Sequence, residues 1–313
     1  MSSLNAGLVI HQHVSIEVVA AIVEAELRGV KAVWSTISGT KPDTLTTFAA
    51  AAVSTDKIVL GSSIAPTYPR HPITLASQVI ALEELAPGRI RLGIGPSHKP
   101  TIEGSFGIPM GKPLDHLREY LTILRAILWE GSVDFRGEYL SAHISMLPES
   151  TPPKTPIPIS ALRKNAFRLA GEIADGAISW VTPVHYLVNT ALPALEAGAV
   201  SASRPRPPII AHVPVAVSTD RDASRNAFRN QFPYYSKLPF YQGMFADAGF
   251  PVTAEGTMTD ALVDNLAVSG TPDEIRKRFE AIRAEGIDEL LISQVFVGDA
   301  ASELATLSEI LAG

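Results

Sequence analysis

Two histidines, His11 and His13, follow the short apolar run Ala6–Ile10 and are separated by one residue. In an extended segment this spacing places both imidazoles on the same side. Metal-dependent hydrolases use such a pair at the end of a barrel's first strand, but the metal needs further ligands from other strands. The apolar run that ends at Ser293 is followed by no carboxylate before Asp299. We therefore predict no metal site, and we expect the two histidines to form a polar rim or to contact substrate.

A third histidine, His98, follows the glycine-bracketed end of another apolar run, Gly93-Ile94-Gly95. An imidazole titrates near neutral pH and can accept or donate a proton. The pattern leaves two alternatives open, which are a proton carrier overlooking a pocket and a solvated loop residue. Three further histidines occupy positions that we interpret as structural, namely His116, His143 and His212.

Two cations, Arg163 and Lys164, precede Asn165 at the start of a predicted helix. A helix N-terminus presents unpaired N–H groups and a partial positive charge, so these cations could complete a seat for phosphate. A solvated basic turn is the alternative. The sequence contains neither a P-loop nor the glycine pattern of a dinucleotide-binding βαβ unit with its acidic partner.

Alternating strands and helices must position these groups. Eight such units in 313 residues favour a closed TIM (β/α)8 barrel over a doubly wound sheet. In that fold the reactive groups lie at the C-terminal ends of the strands. The predicted strands are Ala6–Ile10, Lys31–Ser35, Lys57–Ile64, Ile90–Ile94, Ile157–Ala161, Gly176–Trp180, Ile209–Val217 and Leu290–Ser293.

Helical periodicity and capping residues predict the intervening helices. A capping box formed by Thr271 and Glu274 begins what we expect to be the final helix. The region Gln231–Ala261 is rich in aromatic residues and does not fit the repeat, which predicts an insertion between strands seven and eight that acts as a lid or a dimer contact. The other predicted segments are helices Ile16–Arg28, Asp43–Ala52, Ile73–Leu85, Pro113–Trp129, Asn165–Ala174 and Val184–Ala197, and a hairpin over Val133–Ile144.

Composition narrows the classes of function. The net charge is −6 and no basic stripe is present, so we expect no nucleic-acid partner. The chain contains no cysteine, which excludes disulfides and a cysteine nucleophile. No signal peptide or apolar run long enough to cross a membrane is evident, so a cytoplasmic location and no membrane partner are expected. One domain covering residues 1–313 is predicted.

Several motifs occur in a characteristic order along nearly the whole chain. They are Leu60–Pro66, Arg70–Pro72, Leu85–Gly95, Leu169–Gly176 and Ser269–Glu274. In this order they resemble the bacterial luciferase-like family, particularly its coenzyme F420-dependent oxidoreductase branch. The resemblance implies a TIM barrel that is usually a dimer.

The resemblance also implies a location for the cofactor. Members of the family often have a bulge in strand three with a non-proline cis peptide behind the central ring of the deazaflavin, and here that position falls at Ser63–Ile64. The phosphate and side chain of the cofactor would lie near the loops after strands four and five. The residues of those loops are Gly95, Pro96, Ser97, Ala161, Leu162, Arg163 and Lys164.

The implied reaction is hydride transfer between C5 of coenzyme F420 and a small organic substrate. His98 is our candidate for moving the proton, and His11, His13 and Trp180 are candidates for shaping the substrate end. The sequence departs from many F420-dependent members at 36–38, where they carry an acidic residue and a histidine and this chain has Thr-Ile-Ser. An FMN-dependent luciferase-like monooxygenase and a non-catalytic flavin-binding barrel remain the alternatives.

Overall fold

Eight parallel strands form a closed barrel in the computed structural model of the protein, which describes residues 5–37, 42–146 and 151–313. Each strand pairs with the next along the chain, and β8 pairs with β1 to close the ring. The strands are β1 Ala6–Val9, β2 Ala32–Ser35, β3 Val59–Pro66, β4 Ile90–Gly95, β5 Ile159–Ser160, β6 Ala177–Ser179, β7 Ile209–Ala216 and β8 Glu289–Gln294. The predicted TIM barrel is confirmed.

Helices cover the outside of the barrel, and an antiparallel hairpin of strands Ser132–Arg136 and Ser141–Ser145 precedes β5 as predicted. The capping box of Thr271 and Glu274 is present at the start of its helix. The α-helices are Ser15–Leu27, Thr44–Ser54, Pro72–Leu85, Lys99–Phe106, Pro113–Arg125, Lys164–Ile173, Val184–Tyr186, Leu192–Ser201, Arg221–Gln231, Pro239–Asp247, Asp260–Leu266, Pro272–Ala284 and Ala300–Ala312.

The helix at Pro272–Ala284 is not the last one, contrary to the sequence prediction, because Ala300–Ala312 follows β8 and begins with an Asp299 cap. Helices Lys99–Phe106 and Arg221–Gln231 were also missed. The predicted helix Val184–Ala197 contains a π-helical turn over Leu187–Ala191. Strand β5 has only two residues, since the proline-rich segment before it cannot donate regular backbone hydrogen bonds.

The barrel lumen has its own apolar core, separate from the larger core between the strands and the helices. The indole of Trp34 fills much of this lumen and is fully buried. It fits because a Cβ added at Gly7 or Gly61, on the neighbouring strands, would lie 2.7 or 2.4 Å from the Trp34 ring. The lumen core comprises Val9, Trp34, Ile178, Ile210 and Leu291, with Ile64 and Trp180 packed against it.

An ion pair closes the lumen near the N-terminal ends of the strands. Arg91 on β4 donates from one guanidinium nitrogen to both carboxylate oxygens of Glu289 on β8, at 2.7 and 2.5 Å. These strands lie opposite each other in the ring, so the pair spans the barrel. The Arg91 guanidinium also lies 5.1 Å from the centre of the Trp34 ring. Because these side chains occupy this end of the lumen, we expect a ligand to enter from the opposite end.

The predicted insertion between β7 and β8 is present and largely helical. Residues 231–261 include a short 3-10 turn at Tyr235–Lys237 and the helix Pro239–Asp247. Three of its aromatic side chains, Phe232, Tyr241 and Phe245, are buried, whereas Tyr234 and Phe240 are exposed. The insertion therefore packs part of its aromatic residues into the protein.

Candidate functional site

The C-terminal half of β3 is bulged at the position that the family resemblance implied. The register between β3 and β4 shifts between Ser62 and Ala65, and the peptide bond Ser63–Ile64 is cis. The Ser63 hydroxyl is buried and has no hydrogen-bond partner among the described residues, and the same holds for the hydroxyl of Thr67. Buried polar atoms normally have partners, so these two hydroxyls mark a place where a ligand could supply them.

Two glycines of β4 leave the space that the bulge needs. A Cβ at Gly93 would lie 2.1 Å from the backbone oxygen of Ser62, and one at Gly95 would lie 2.1 Å from the Ser160 hydroxyl oxygen. The Ser62 hydroxyl donates to the Gly93 carbonyl at 2.9 Å and fixes the contact. The glycine pattern that bracketed this strand end in the sequence therefore serves close packing of β3, β4 and β5.

His98 lies at the N-terminal cap of helix Lys99–Phe106, directly after β4, and its side chain makes no capping hydrogen bond. Three tyrosine rings of the insertion, Tyr234, Tyr235 and Tyr241, approach it edge-on at 5.9 to 6.4 Å between ring centres. Removal from water lowers the pKa of His98 below its ordinary value. The imidazole is therefore mainly neutral at pH 7, so it is better suited to accept a proton than to donate one.

His212, which the sequence interpretation treated as structural, lies beside the candidate residues Trp180 and His11. It lies on β7, is 2% exposed, and shares a 2.6 Å hydrogen bond between Nε2 and the Ser293 hydroxyl of β8. Burial, followed by the nearby His11, holds the pKa of His212 well below its ordinary value. The available signal was strand alternation, because residues 210 and 212 share one face of β7 and Ile210 faces the lumen.

Trp180 connects the mouth to the insertion. Its indole stacks on the His212 imidazole with ring centres 3.7 Å apart and an angle of 12°. Its Nε1–H donates to the Tyr235 hydroxyl at 2.8 Å. Burial raises the pKa of Tyr235 to about 12 and that of Tyr241 well above its ordinary value, so both hydroxyls stay protonated. These rings form an aromatic wall from β7 to His98.

Arg163 forms an ion pair with Asp247 that the hypothesis of a phosphate site did not include. It forms a 2.6 Å ion pair with Asp247 on the insertion helix, and a Cβ at Gly243 would lie 2.4 Å from its guanidinium. The following helix begins at Lys164 without a side-chain cap. The positive charge for an anion at this helix start is therefore concentrated on Lys164 and the backbone N–H groups, with Arg163 acting mainly as a tie to the insertion.

The two histidines after β1 occupy different surroundings. His11 is partly buried and close enough to His212 to lower that residue's pKa, whereas His13 is exposed at the rim. They do not extend the strand, which ends at Val9. In residues 5–37, 42–146 and 151–313, no group of three or more histidines and carboxylates could hold a metal ion.

The other histidines interpreted as structural lie elsewhere. His116 is buried and stacks on Tyr68 at 4.0 Å, and burial lowers its pKa to about 4. His143 lies on the exposed hairpin beside Asp134. In the sequence motif at 36–38, Ser38 lies outside the described residues. No helix within the described ranges is long and apolar enough to cross a membrane.

Comparison with known proteins assigns the family. The model of the luciferase-like monooxygenase family matches residues 8–289. The chain belongs to the luciferase-like monooxygenase family. It is 30% identical over 266 residues to an F420-dependent glucose-6-phosphate dehydrogenase of Beutenbergia cavernae, covering 82% of this chain and 79% of the relative.

Other members of the family are also similar. An uncharacterised protein of Mycobacterium tuberculosis is 31% identical over 215 residues, and the match covers 64% of this chain and 63% of the relative's length. A 5,10-methylenetetrahydromethanopterin reductase of Archaeoglobus fulgidus is 29% identical, with 77% of this chain and 78% of the relative covered.

Solved structures of the family share the fold. A coenzyme F420-dependent tetrahydromethanopterin reductase from Methanopyrus kandleri superposes with a TM-score of 0.82 at 21% identity, covering 99% of this chain and 98% of the other. An FMN complex of a type II Baeyer-Villiger monooxygenase from Pseudomonas putida superposes with a TM-score of 0.77 at 19% identity, covering 99% and 97%. At these identities the likeness supports the barrel fold alone.

Proposed function

We propose that this member of the luciferase-like family is a coenzyme F420-dependent oxidoreductase that transfers a hydride between the deazaflavin C5 and a small organic substrate. The observation that carries the proposal is the β3 bulge at Ser63–Ile64, with an unpartnered buried hydroxyl at the open end of the barrel. The 30% identical relative named as F420-dependent supports the choice of cofactor.

The residues at the mouth fit such a cofactor. The bulge would support one face of the planar ring system, and the Ser63 hydroxyl supplies a hydrogen bond that nothing else in the described residues satisfies. The loops at Gly95–Ser97 and Ala161–Lys164 would hold the side chain and phosphate. The helices after β4 and β5 both begin without a side-chain cap from the N-cap residue, and an anion at either start would face the positive end of the helix dipole.

Bound F420 supplies the hydride acceptor or donor. The chain's own contribution includes moving the accompanying proton, for which His98 is the candidate. Because its pKa is lowered by burial, the neutral imidazole would accept the proton of a substrate hydroxyl during oxidation. In the reverse direction the protonated imidazole would return that proton to the nascent alkoxide.

The substrate end of the site would be formed by Trp180 and the tyrosines of the insertion, together with His11 and His13. Aromatic side chains exclude water from the reacting centre, which protects a hydride from solvent protons. A homodimer in the cytoplasm, acting on a small molecule, belongs to the same proposal.

Binding of the cofactor tests the proposal directly. The purified apo-protein is titrated separately with F420 and with FMN while tryptophan fluorescence is followed. We expect tight binding of F420 and weak binding of FMN. A preference for FMN would transfer the protein to FMN-dependent monooxygenase chemistry, and binding of neither would overturn the proposal.

A pair of matched variants locates the bound ring. Ser63→Leu places a larger side chain at the bulge and is expected to abolish F420 binding. Ser141→Leu makes the same change on the exposed hairpin and should leave the dissociation constant unchanged. Equal affinities in the two variants would show that the bulge is not the cofactor site.

A further inference from the structure

The imidazole of His212 is held by hydrogen bonds at both ring nitrogens. Nδ1 accepts the backbone N–H of Val181 at 3.3 Å, and Nε2 lies 2.6 Å from the Ser293 hydroxyl. Because Nδ1 accepts, Nε2 carries the proton and donates it to Ser293. The orientation of the imidazole is therefore set by the two strands that flank β7. Val181, just after β6, bonds one ring nitrogen, and Ser293 on β8 bonds the other.

The backbone at Val181 is unusual in a way that serves this contact. Its φ angle is +47°, a left-handed conformation that β-branched residues rarely adopt. Such a conformation persists where the surroundings enforce it, commonly at ligand sites. Here the turn points the Val181 N–H at His212 immediately after Trp180 has left the strand.

Trp180 is consequently restrained at two places. One face of the indole lies on the His212 ring, and its Nε1–H is bound by Tyr235. The side chain is only partly buried, so part of the indole stays accessible. An indole with a fixed orientation and an accessible part is suited to stack on a flat, conjugated ring.

We propose that His212 is a positioning residue, which holds Trp180 as a stacking platform for a planar conjugated ring at the barrel mouth. This inference rests on the proposed function and extends it to the ligand class, since a flat ring would come either from the deazaflavin or from an aromatic substrate. A neutral histidine is suited to the role because it adds no charge beneath the ring.

Three variants separate positioning from general structural support. His212→Asn removes the ring beneath Trp180, and Ser293→Ala leaves the ring but removes its hydrogen-bond acceptor. His116→Asn is the matched control, because His116 is also buried and stacked on an aromatic ring, Tyr68, but its ring contacts are tyrosines and do not include Trp180. Trp180→Phe identifies the near-ultraviolet circular dichroism band that belongs to Trp180.

The measurements are that band and the dissociation constants of three probes, determined by equilibrium dialysis. The probes are F420, the flat neutral ring compound 2-naphthol, and the non-planar cyclohexanol. We expect His212→Asn to lose the Trp180 band and to weaken one ring probe by about three- to tenfold, the range of aromatic stacking. Ser293→Ala should show a smaller change in the same direction, and His116→Asn none.

The probe that is affected identifies the source of the ring, F420 for the cofactor and 2-naphthol for the substrate. Unchanged affinity for both ring probes in His212→Asn, or an equal loss for cyclohexanol, would overturn the inference. If His212→Asn does not fold, Ser293→Ala decides in the same way. Failure of wild-type protein to bind F420 counts against the proposed function, whereas the 2-naphthol comparison still tests the platform.

Discussion

Burial sets the protonation states of individual histidines in this protein. His98, His116 and His212 all have pKa values lowered because the charged imidazolium loses its hydration inside the fold. Each neutral imidazole has a different aromatic partner. His98 lies among three tyrosine rings, His116 stacks on Tyr68, and His212 stacks on Trp180. Two predictions follow at this scale, one about turnover and one about stability.

The first prediction concerns His98 as the proton acceptor. His98→Ala should lower turnover about a hundredfold, within the usual range for general acid–base groups, and leave the F420 dissociation constant nearly unchanged. For wild-type protein oxidising an alcohol, turnover should fall with decreasing pH as the imidazole takes up a proton, and it should do so below the ordinary pKa of histidine. Steady-state kinetics across pH measures the loss of turnover and its pH dependence.

Loss of F420 affinity equal to the loss of turnover would contradict the role assigned to His98. His143→Ala, on the exposed hairpin, serves as the control.

The second prediction concerns His116 and the stability of the fold. Its pKa is lowered to about 4 in the folded protein from 6.5, so the unfolded chain binds a proton first as the pH falls. The stabilising effect of its neutral form is therefore present above pH 6.5 and is lost as the pH falls toward 4. Urea unfolding at pH 7 and pH 5 should show a smaller pH-dependent loss in His116→Asn than in wild-type protein. An identical loss in both would exclude this contribution.

At the scale of elements, the pairing of β3 with β4 determines the shape of the mouth. The bulge places Ser63 and Ile64 out of regular register, and it is accommodated because β4 has no side chain at Gly93 or Gly95. The same packing brings β5 into contact through Ser160. The geometry of the site therefore depends on the missing side chains at Gly93 and Gly95 as much as on the side chains that β3 and β4 carry.

The third prediction tests this dependence. Gly93→Ala introduces a Cβ within 2.1 Å of a backbone oxygen, which cannot move as a flexible side chain would. We expect a loss of about 1–3 kcal/mol of unfolding free energy, together with weaker F420 binding. Gly104→Ala is the control, because nothing lies within 4 Å of its added Cβ and alanine favours the helix there. Denaturant unfolding measures both variants, and equal stabilities would refute the packing argument.

At the scale of the whole molecule, the closed barrel separates a blocked end from an open one. Trp34 and the pair Arg91–Glu289 fill the blocked end, where β4 and β8 face each other across the lumen. The aromatic wall and the insertion surround the open end. The insertion is tied to the loop after β5 by Arg163–Asp247, so it is part of the same layer.

The fourth prediction concerns the ion pair across the lumen. Arg91→Met leaves the buried carboxylate of Glu289 without its partner, and we expect a loss of about 3–5 kcal/mol of unfolding free energy. Arg28→Met removes an exposed pair with Glu24 and should cost less than about 1 kcal/mol. Chemical denaturation of the two variants provides the comparison. Equal effects would mean that the cross-barrel pair does not stabilise the closed ring.

Much of the fold was predictable from local patterns. All eight strands lie within two residues of their predicted bounds because they are short apolar runs, several of which begin soon after a glycine or proline, and the capping box at Thr271 is a local signal. The missed helices at Lys99–Phe106 and Arg221–Gln231 have weaker signals, since the first carries a glycine and the second has few apolar residues, whereas Ala300–Ala312 has an Asp299 cap that the sequence interpretation did not use. The insertion was recognised by composition, but its helices were not.

The sequence by itself determined the alternation of strands and helices, the placement of His98 and Ser63 at strand ends, and the resemblance to the family now shown by residues 8–289. Only the tertiary structure placed His212 beneath Trp180 and paired Arg163 with Asp247. The physical reason is the distance along the chain over which each signal acts. Strand and cap signals act within a few residues, whereas these contacts join groups 32 and 84 positions apart, and only closure of the barrel brings those groups together.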